Sequence, residues 1–368
     1  LLFFGDNDAG HFSVKIYDGE VMLEIVVFGA CWASGWFVMW STRSFQVRNT
    51  DLNATAVTVI IPARNEERNV HDLLISLNKQ LHTGDQVVVV DDGSTDNTAS
   101  LARDLGATVC NAGTLPSGWA GKAHACWVGA QIATHDVLLF VDADVRFSDQ
   151  STQVVAELGQ RVRENPQVLC SVQPWHDTVA FEEQASMLFN IVSVMGSAMK
   201  TLKPLVFGPI LACSRNTYLA VGGHSHQQVR GQVVEDIALG NLFLTADVSL
   251  GSPATATFRM YPQGILAVIR GFSKNIAQGS RSVPFRRRLL IAAWCASLVG
   301  GVLTSPWMYL LSLIQVAIFA KQVGRFHPLV VAVFPLHMLL FTFVVARSYW
   351  SAVLLGRANW SGRTIRTR

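Results

Sequence analysis

Charge is scarce in this 368-residue chain: Asp, Glu, Lys and Arg make up 15% of it, against 50% hydrophobic residues. A mean hydropathy of +0.31 is too high for an ordinary water-soluble enzyme and points to a membrane component. The net charge is only +3, and no long basic run is interleaved with aromatics, which excludes nucleic acid as a natural partner. Its six cysteines, Cys31, Cys110, Cys126, Cys170, Cys213 and Cys295, form no CxxC pair. They do not read as a disulfide framework or a zinc site, and suit buried positions in a reducing compartment. Two glycine fingerprints are missing as well. Without GxGxxG a nicotinamide enzyme is disfavoured, and without GxxxxGK[ST] there is no P-loop. Ahead of the first apolar run stand Asp6, Asp8 and Asp18 rather than a basic leader, and the chain opens on Leu1, which leaves its native start open.

What is present falls into three blocks. Val21 to Trp40 is an apolar run with Trp32, Trp36 and Trp40 at helical spacing, followed by Arg43 and Arg48. It is long enough to cross a bilayer, and the basic flank points the next domain to the cytoplasm. The middle block alternates buried-strand runs (56–63, 86–92, 107–111, 136–144) with helical stretches (67–80, 95–105, 122–134). That alternation predicts a mostly parallel α/β sheet, with ligands beyond the carboxyl ends of its strands. The third block opens with an amphipathic stretch whose apolar residues run from Ile265 to Ile276 and whose Arg270, Lys274 and Arg281 lie mainly off that face, as in a helix resting on a membrane surface. After Arg286–Arg288 come the apolar stretches 289–320, with Pro306 inside, and 329–346. The first reads either as one long tilted helix or as two short ones hinged near Pro306, giving two or three C-terminal crossings. The expected division is a 1–20 N-terminal segment, a 21–42 transmembrane helix, a 55–262 catalytic domain, a 263–288 interfacial helix and basic linker, 289–346 transmembrane segments and a 347–368 basic tail.

Four clusters carry chemistry. The strand 138–141 runs into Asp142-Ala143-Asp144, two carboxylates of the kind that hold Mg²⁺ or Mn²⁺ against phosphate. A second strand delivers Asp91-Asp92-Gly93-Ser94-Thr95-Asp96, which can bond a base or ribose or simply cap a turn. A third ends in Pro62-Ala63-Arg64-Asn65-Glu66-Glu67. In the fourth, Gly118-Trp119-Ala120-Gly121-Lys122, a lysine at a helix start can reach a diphosphate.

Together, in order and spacing, these clusters resemble the family-2 glycosyltransferases with their GT-A nucleotide-sugar fold, over nearly the whole chain. GWAGKAHA, YPQG, GFSKN and the tail's Asn-Trp-Ser-Gly-Arg are similar to the membrane-bound subgroup of hopanoid-associated and carotenoid (diaponeurosporenoate-type) enzymes. The resemblance implies nucleotide-sugar contacts at Pro62, Arg64, Asn65, Glu66, Asp91, Asp92, Lys122 and Asp142, and a divalent metal on Asp142 and Asp144. It also implies a catalytic base in the acidic helix start at 233–240, with Asp236 first and Glu235 as the alternative. Unaided by the resemblance, those two acids read as dipole-favoured residues at a helix N-terminus. The donor implied is a nucleotide sugar, with uridine as the family's usual base, and the acceptor a lipid at a bacterial plasma membrane. The processive relatives' Gln-x-x-Arg-Trp is broken here, because Ser282 follows Arg281, and this argues against a polysaccharide synthase.

Smaller features complete the inventory. His224 and His226 form a candidate acceptor rim with a possible metal or phosphate contact, or are plain loop histidines. The methionine-rich segment 181–200 is core, or else the lining of a lipid groove. Competing with transfer to an isoprenoid-, hopanoid- or carotenoid-like lipid are a ceramide- or polyprenyl-phosphate-type transferase and a catalytically silent scaffold of the same fold.

Overall fold

The computed structural model describes residues 4–6, 12–14, 19–48, 55–151, 153–232, 234–350, 357–360 and 363–366. Most of the expected N-terminal segment, much of the basic tail and Val233 lie outside the described residues. The chain begins with a hairpin, β1 (Phe4–Asp6) and β2 (Phe12–Val14), and helix α1 (Gly19–Met39). Next come β3 (Val57–Ala63), α2 (Glu67–Asn78), β4 (Gln86–Asp91), α3 (Thr98–Asp104), β5 (Thr108–Asn111), α4 (Gly121–Ile132) and β6 (Val137–Val141). They are followed by β7 (Val145–Phe147), α5 (Val154–Glu164), β8 (Val168–Gln173), β9 (Trp175–His176), α6 (Met187–Ser197) and β10 (Ile210–Ser214). After α7 (Arg215–Ala220), α8 (Glu235–Leu242), β11 (Thr245–Leu250) and β12 (Ala256–Phe258), the chain turns helical. Its last elements are α9 (Ile265–Ser282), α10 (Phe285–Thr304), α11 (Pro306–Val323), α12 (Pro328–Ala332), α13 (Phe334–Trp350) and a hairpin, β13 (Arg357–Trp360) and β14 (Arg363–Arg366).

Alternation along β3 decides what each face of the main sheet covers. Val57, Val59, Ile61 and Ala63 pack with α2 and α5, whereas Ile60 points to α4 and α6 on the other side. The seven strands lie in the order β11-β8-β10-β6-β3-β4-β5. All neighbours are parallel except β10, which is antiparallel to both β6 and β8. The mostly parallel α/β sheet expected from the sequence is therefore present, with each expected strand and helix within a few residues of its place. Chain order runs outward from β3 to β5 and then returns to β6 on β3's other side, so a crevice opens at the carboxyl ends of β3 and β6. The β3–β6 ladder ends at Ile60 and Phe140, and Pro62, with no N–H to pair, stands just beyond.

The apolar helices pack on one face of this sheet. Three described helices, α1, α10 and α11, are long and apolar enough to cross a membrane, and α13 follows with 17 residues. Of the two readings of 289–320, the hinged one is present: extended Ser305 separates α10 from α11, and Pro306 starts the new helix, where its missing N–H goes unneeded. Trp294 bonds Gln315 (2.9 Å), while a Cβ on Gly301 would meet Ser312 and Met308, which makes α10 and α11 an antiparallel hairpin. Gly35 of α1 lies so close to the Trp294 ring that a Cβ there would stand 2.2 Å from it, the small-residue contact typical of membrane helices. The flanking Arg43 and Arg48 pair with Asp247 (2.9 Å) and Glu157 (2.7 Å), carboxylates of the sheet domain.

Gly129 brings α4 onto the sheet: a Cβ there would stand 2.4 Å from Ile60 Cγ2, and Ile60 is fully buried. Gly129→Ala is expected to destabilise the protein by about 1–3 kcal/mol despite the better helix propensity of alanine. Thermal unfolding in detergent checks this.

Candidate active site

Three loops meet at the crevice. After β3, Asn65 takes a left-handed conformation (φ 55°), which asparagine tolerates better than most residues. There its backbone N–H donates to Ser94 Oγ (2.9 Å) and its side chain accepts from the Thr95 N–H (2.8 Å), stitching this loop to the one after β4. Asp91 ends β4 and accepts from the Ser94 N–H at 3.0 Å across Gly93, whose φ of 73° the turn requires. Asp91 is thus a turn cap behind the crevice, whereas Asp92 faces into it and lies 3.5 Å from the Arg64 guanidinium. Glu66 accepts from Asn69 (2.7 Å), and burial raises its pKa.

The Asp142-Ala143-Asp144 turn differs in detail from the expected strand end. β6 stops at Val141, the Asp142 N–H donates to Pro209 O (2.9 Å), and β7 begins at Val145. Burial still alternates: Ala143 is buried while Asp142 and Asp144 are partly open to the crevice. Arg146 braces the turn by donating to the carbonyls of Ala143 (3.0 Å) and Val145 (2.7 Å) and to Asn69 (3.1 Å).

From the opposite side, α8 starts with Glu235 and Asp236. Lys122, at the start of α4, joins the two groups: its ammonium lies 2.8 Å from Asp142 and 3.0 Å from Glu235. Burial opposes Glu235's ionisation, but Lys122 holds its carboxyl below the usual range. Asp236 and Asp144 go the other way. Burial, then the charge of Glu235, pushes Asp236 up to about 7; burial, then Asp142 and Glu66, pushes Asp144 up to about 7. Close packing fixes α8, since a Cβ on Gly208 would crowd the Asp236 carboxyl at 3.1 Å and one on Gly240 would meet Val206 at 2.9 Å.

Like-charge crowding at Asp144 is what a divalent cation relieves, and an all-oxygen donor set suits Mg²⁺ or Mn²⁺. Among the described residues no group of three or more His, Cys, Asp or Glu converges as a metal site. A cation held by Asp142 and Asp144 would need water or phosphate oxygens for the rest of its shell, as Mg²⁺ habitually does.

The carboxylates line a cavity of about 1610 Å³. The same cavity is walled by Phe189 and Val192 of α6, Phe272 of α9, Ile291 of α10, and Phe341 and Val345 of α13. The Phe189 and Phe272 rings stack with centroids 4.4 Å apart. Of the residues singled out in the sequence, Pro62, Arg64, Asn65, Glu66, Asp92, Lys122, Asp142, Asp144, Glu235 and Asp236 all line this cavity; Asp91 does not. Nor does His224, which is a buried core residue bonded to Tyr218 (2.8 Å), its pKa lowered to about 4 by burial. The 181–200 segment divides: Met187, Met195 and Met199 are core, while Phe189 and Val192 reach the cavity.

Among the charged lining residues that the sequence analysis did not name as site residues are Asp96, Arg146 and Lys274. Lys274 counted as part of a basic helix face, yet α9 turns it into the cavity. Burial lowers its ammonium to about 8 against the pull of Glu235, Asp142 and Asp236. Its signal was the GFSKN segment, a lone lysine between Phe272 and Ile276.

Comparison with known proteins adds the following. The family model described as glycosyl transferase family 2 matches residues 58–200. Relatives named 4,4'-diaponeurosporenoate glycosyltransferase from Staphylococcus aureus strains MRSA252 and USA300 are 33% and 32% identical over 359 and 356 residues, each alignment covering 90% of this chain and 94% of the relative. A solved mannosyltransferase from Pyrobaculum calidifontis, in complex with GDP-Man and Mn²⁺, is 19% identical with a TM-score of 0.55, covering 90% of this chain and 96% of that one. At that identity the likeness speaks for the GT-A fold alone.

The raised carboxyls have a measurable consequence. Asp144 and Asp236 move from an ordinary 3.8 to about 7, so the folded state prefers them protonated. Their contribution to stability is full below the unfolded value and is lost as pH rises towards 7. In metal-free detergent solution the melting temperature is expected to fall between about pH 4 and 7 from these groups. Asp144→Asn and Asp236→Asn should flatten the pH curve, and Mn²⁺ should restore stability at the alkaline end.

Proposed function

This chain belongs to glycosyl transferase family 2, and on that premise we propose that it moves a sugar from a nucleotide-sugar donor onto an apolar, carotenoid-like acceptor at a membrane, with inversion at the anomeric carbon. The observation that carries this is the cavity, which joins the carboxylate cluster to an apolar wall built from α6, α9, α10 and α13. At about 1610 Å³ it exceeds the roughly 300–1,000 Å³ of a pocket for one small ligand, so it can take a donor and part of a lipid together. Residues 55–262 carry the transfer, 263–288 link them to the apolar helices, and the catalytic domain faces the cytoplasm of a bacterium.

On this reading Pro62, Arg64, Glu66 and Asp92 hold the nucleotide, and Asn65 and Asp91 shape the loops that present them. Asp142 and Asp144 hold Mg²⁺ or Mn²⁺, which when bound neutralises charge on the donor diphosphate. Lys122 adds a fixed positive charge beside the departing group. Asp236 takes the proton of an acceptor hydroxyl as that oxygen attacks the anomeric carbon. A carboxyl near 7 is well matched to accept a proton at neutral pH. Attack from the face opposite the nucleotide needs one base and no covalent intermediate, and this is why the configuration inverts.

A second version is favoured by the relatives' name, because diaponeurosporenoate is a carboxylate. Such an acceptor arrives ionised and requires no base, leaving Asp236 to orient it.

Detergent-purified protein, incubated with UDP- and GDP-sugars, Mn²⁺ and carotenoid or total lipid extract, is expected to give a glycosylated lipid. Asp144→Ala should abolish transfer. With a hydroxyl acceptor, Asp236→Asn should lower kcat by roughly 10²–10⁴-fold. Transfer to ceramide or polyprenyl phosphate instead would replace the acceptor, and donor binding without turnover on any acceptor would make the chain a scaffold.

A further inference from the structure

Three helix ends lie level with one another where the apolar helices meet the sheet domain. Arg287, in the first turn of α10, donates to the Val38 carbonyl (3.1 Å) and to Ser41 Oγ (2.6 Å) at the end of α1. The antiparallel α10 and α11, of 20 and 18 residues, rise about 30 and 27 Å, so the end of α11 returns to the level at which α10 began. There the Arg325 N–H donates to the His176 carbonyl at 2.8 Å.

Exposed apolar side chains are few in the sheet domain. Among the described residues of 55–262, six large ones are exposed: Ile75 and Ile132 at 43% and 39%, and Val179, Phe181, Leu202 and Leu244 at 65%, 75%, 78% and 69%. Lone exposed apolar residues are ordinary on a soluble surface. Here, however, the four most exposed all stand beside those helix ends. Near α1, the Lys200 ammonium lies 5.6 Å over the ring of Trp40, itself 80% exposed, and the Arg43 N–H donates to Met199 Sδ (3.4 Å). The Leu202 carbonyl accepts from the Ala246 N–H (3.3 Å), which brings Leu202 and Leu244 to one place. Near α11, the Thr178 hydroxyl donates to the Arg325 carbonyl, and the His327 N–H donates to Gln184 (2.7 Å), so Val179 and Phe181 stand beside that turn.

We propose, given the membrane placement in the function above, that these four side chains dock the sheet domain on the bilayer. Val179 and Phe181 enter the headgroup zone beside α11, and Leu202 and Leu244 beside α1, where Trp40 is an interfacial anchor. Lys200 and Lys203, which flank Leu202 in the chain, meet the phosphates of anionic lipids. Both patches adjoin cavity lining: Asp177 precedes Val179, and Leu205 to Gly208 follow Leu202. Docking therefore holds the reaction cavity at the lipid surface, within reach of an acceptor that stays in the membrane.

The test places a nitroxide label on single introduced cysteines of the full chain in nanodiscs of phosphatidylcholine and phosphatidylglycerol. Cys31, Cys110 and Cys295 are first replaced by serine; Cys126, Cys170 and Cys213 are buried. Labels at Phe181→Cys and Leu202→Cys are expected to collide readily with oxygen and several-fold less with a water-soluble nickel chelate than a label at Ile75→Cys. A label at Val26→Cys on α1 marks the hydrocarbon. Omitting phosphatidylglycerol should move the 202 label towards water and leave the 181 label in place. An unaltered melting temperature shows that each variant folds. Labels at 181 and 202 as open to the chelate as the one at 75, with 26 in lipid, would overturn the docking and leave the membrane placement standing. A label at 26 in water removes both, and a 202 label indifferent to lipid charge removes the role of the two lysines.

Discussion

Lys122 stands between Asp142 and Glu235 at 2.8 and 3.0 Å, and the two halves of the site are joined through it. Asp142 belongs to the turn after β6 and Glu235 to the start of α8, segments far apart in sequence whose like charges would otherwise drive them apart. The ammonium is costly to bury on its own, and so is each carboxylate; as a triad, each offsets the desolvation of the others. The asymmetry among the acids follows from this contact. Glu235, touching the lysine, stays ionised, and its fixed charge together with burial keeps Asp236, one residue on, near neutrality. Two adjacent acids thus acquire different chemistry from one lysine, the environmental division of labour by which carboxyl pairs take separate roles.

The second constraint is the hydrophobic core. One cluster runs without interruption from Ile60, Val88 and Val90 of the sheet, through α4 and α6, to Trp294 and Leu298 of α10 and Phe319 of α11. Met39 of α1 joins it, and Gly324, just past α11, makes a bridge contact with His176 of β9. The carboxyl end of the α10–α11 hairpin is therefore tied to the sheet domain.

Much of this was legible in the sequence for a simple reason: a buried parallel strand is a short run of β-branched residues, and the polar residues that end it sit at the sheet's rim. The strands β3, β4 and β6 and the helices behind them could be placed from that pattern to within a few residues. What could not be read depends on partners remote in the chain. Asp91 and Asp92 are chemically identical, and only the backbone of Ser94 and the side chain of Arg64 distinguish them. His224 looked like a loop residue because the Tyr218 hydroxyl that buries it is reached through a turn. Lys274 looked like one charge of a surface-lying helix; the packing of α9 against α13 and Tyr261 turns it inward, and nothing within α9's own periodicity records that. The break at Ser305 was left open for a related reason, since a proline in an apolar run is compatible with a kink or a new helix until the packing of the two halves is known.

The apolar cavity wall has a consequence at a larger scale. Ile291, Ala292 and Cys295 face the cavity from α10, while Leu289, Val299 and Leu303 of the same helix point outward. A single helix thus forms part of the cavity wall and, on its other side, an exposed apolar surface that a bilayer would cover. Helices in a bilayer answer a change in thickness by tilting. In a bilayer, a tilt of α10 would carry Ile291 and Cys295 with it, so the width of the cavity would become a property of the lipid phase as well as of the polypeptide.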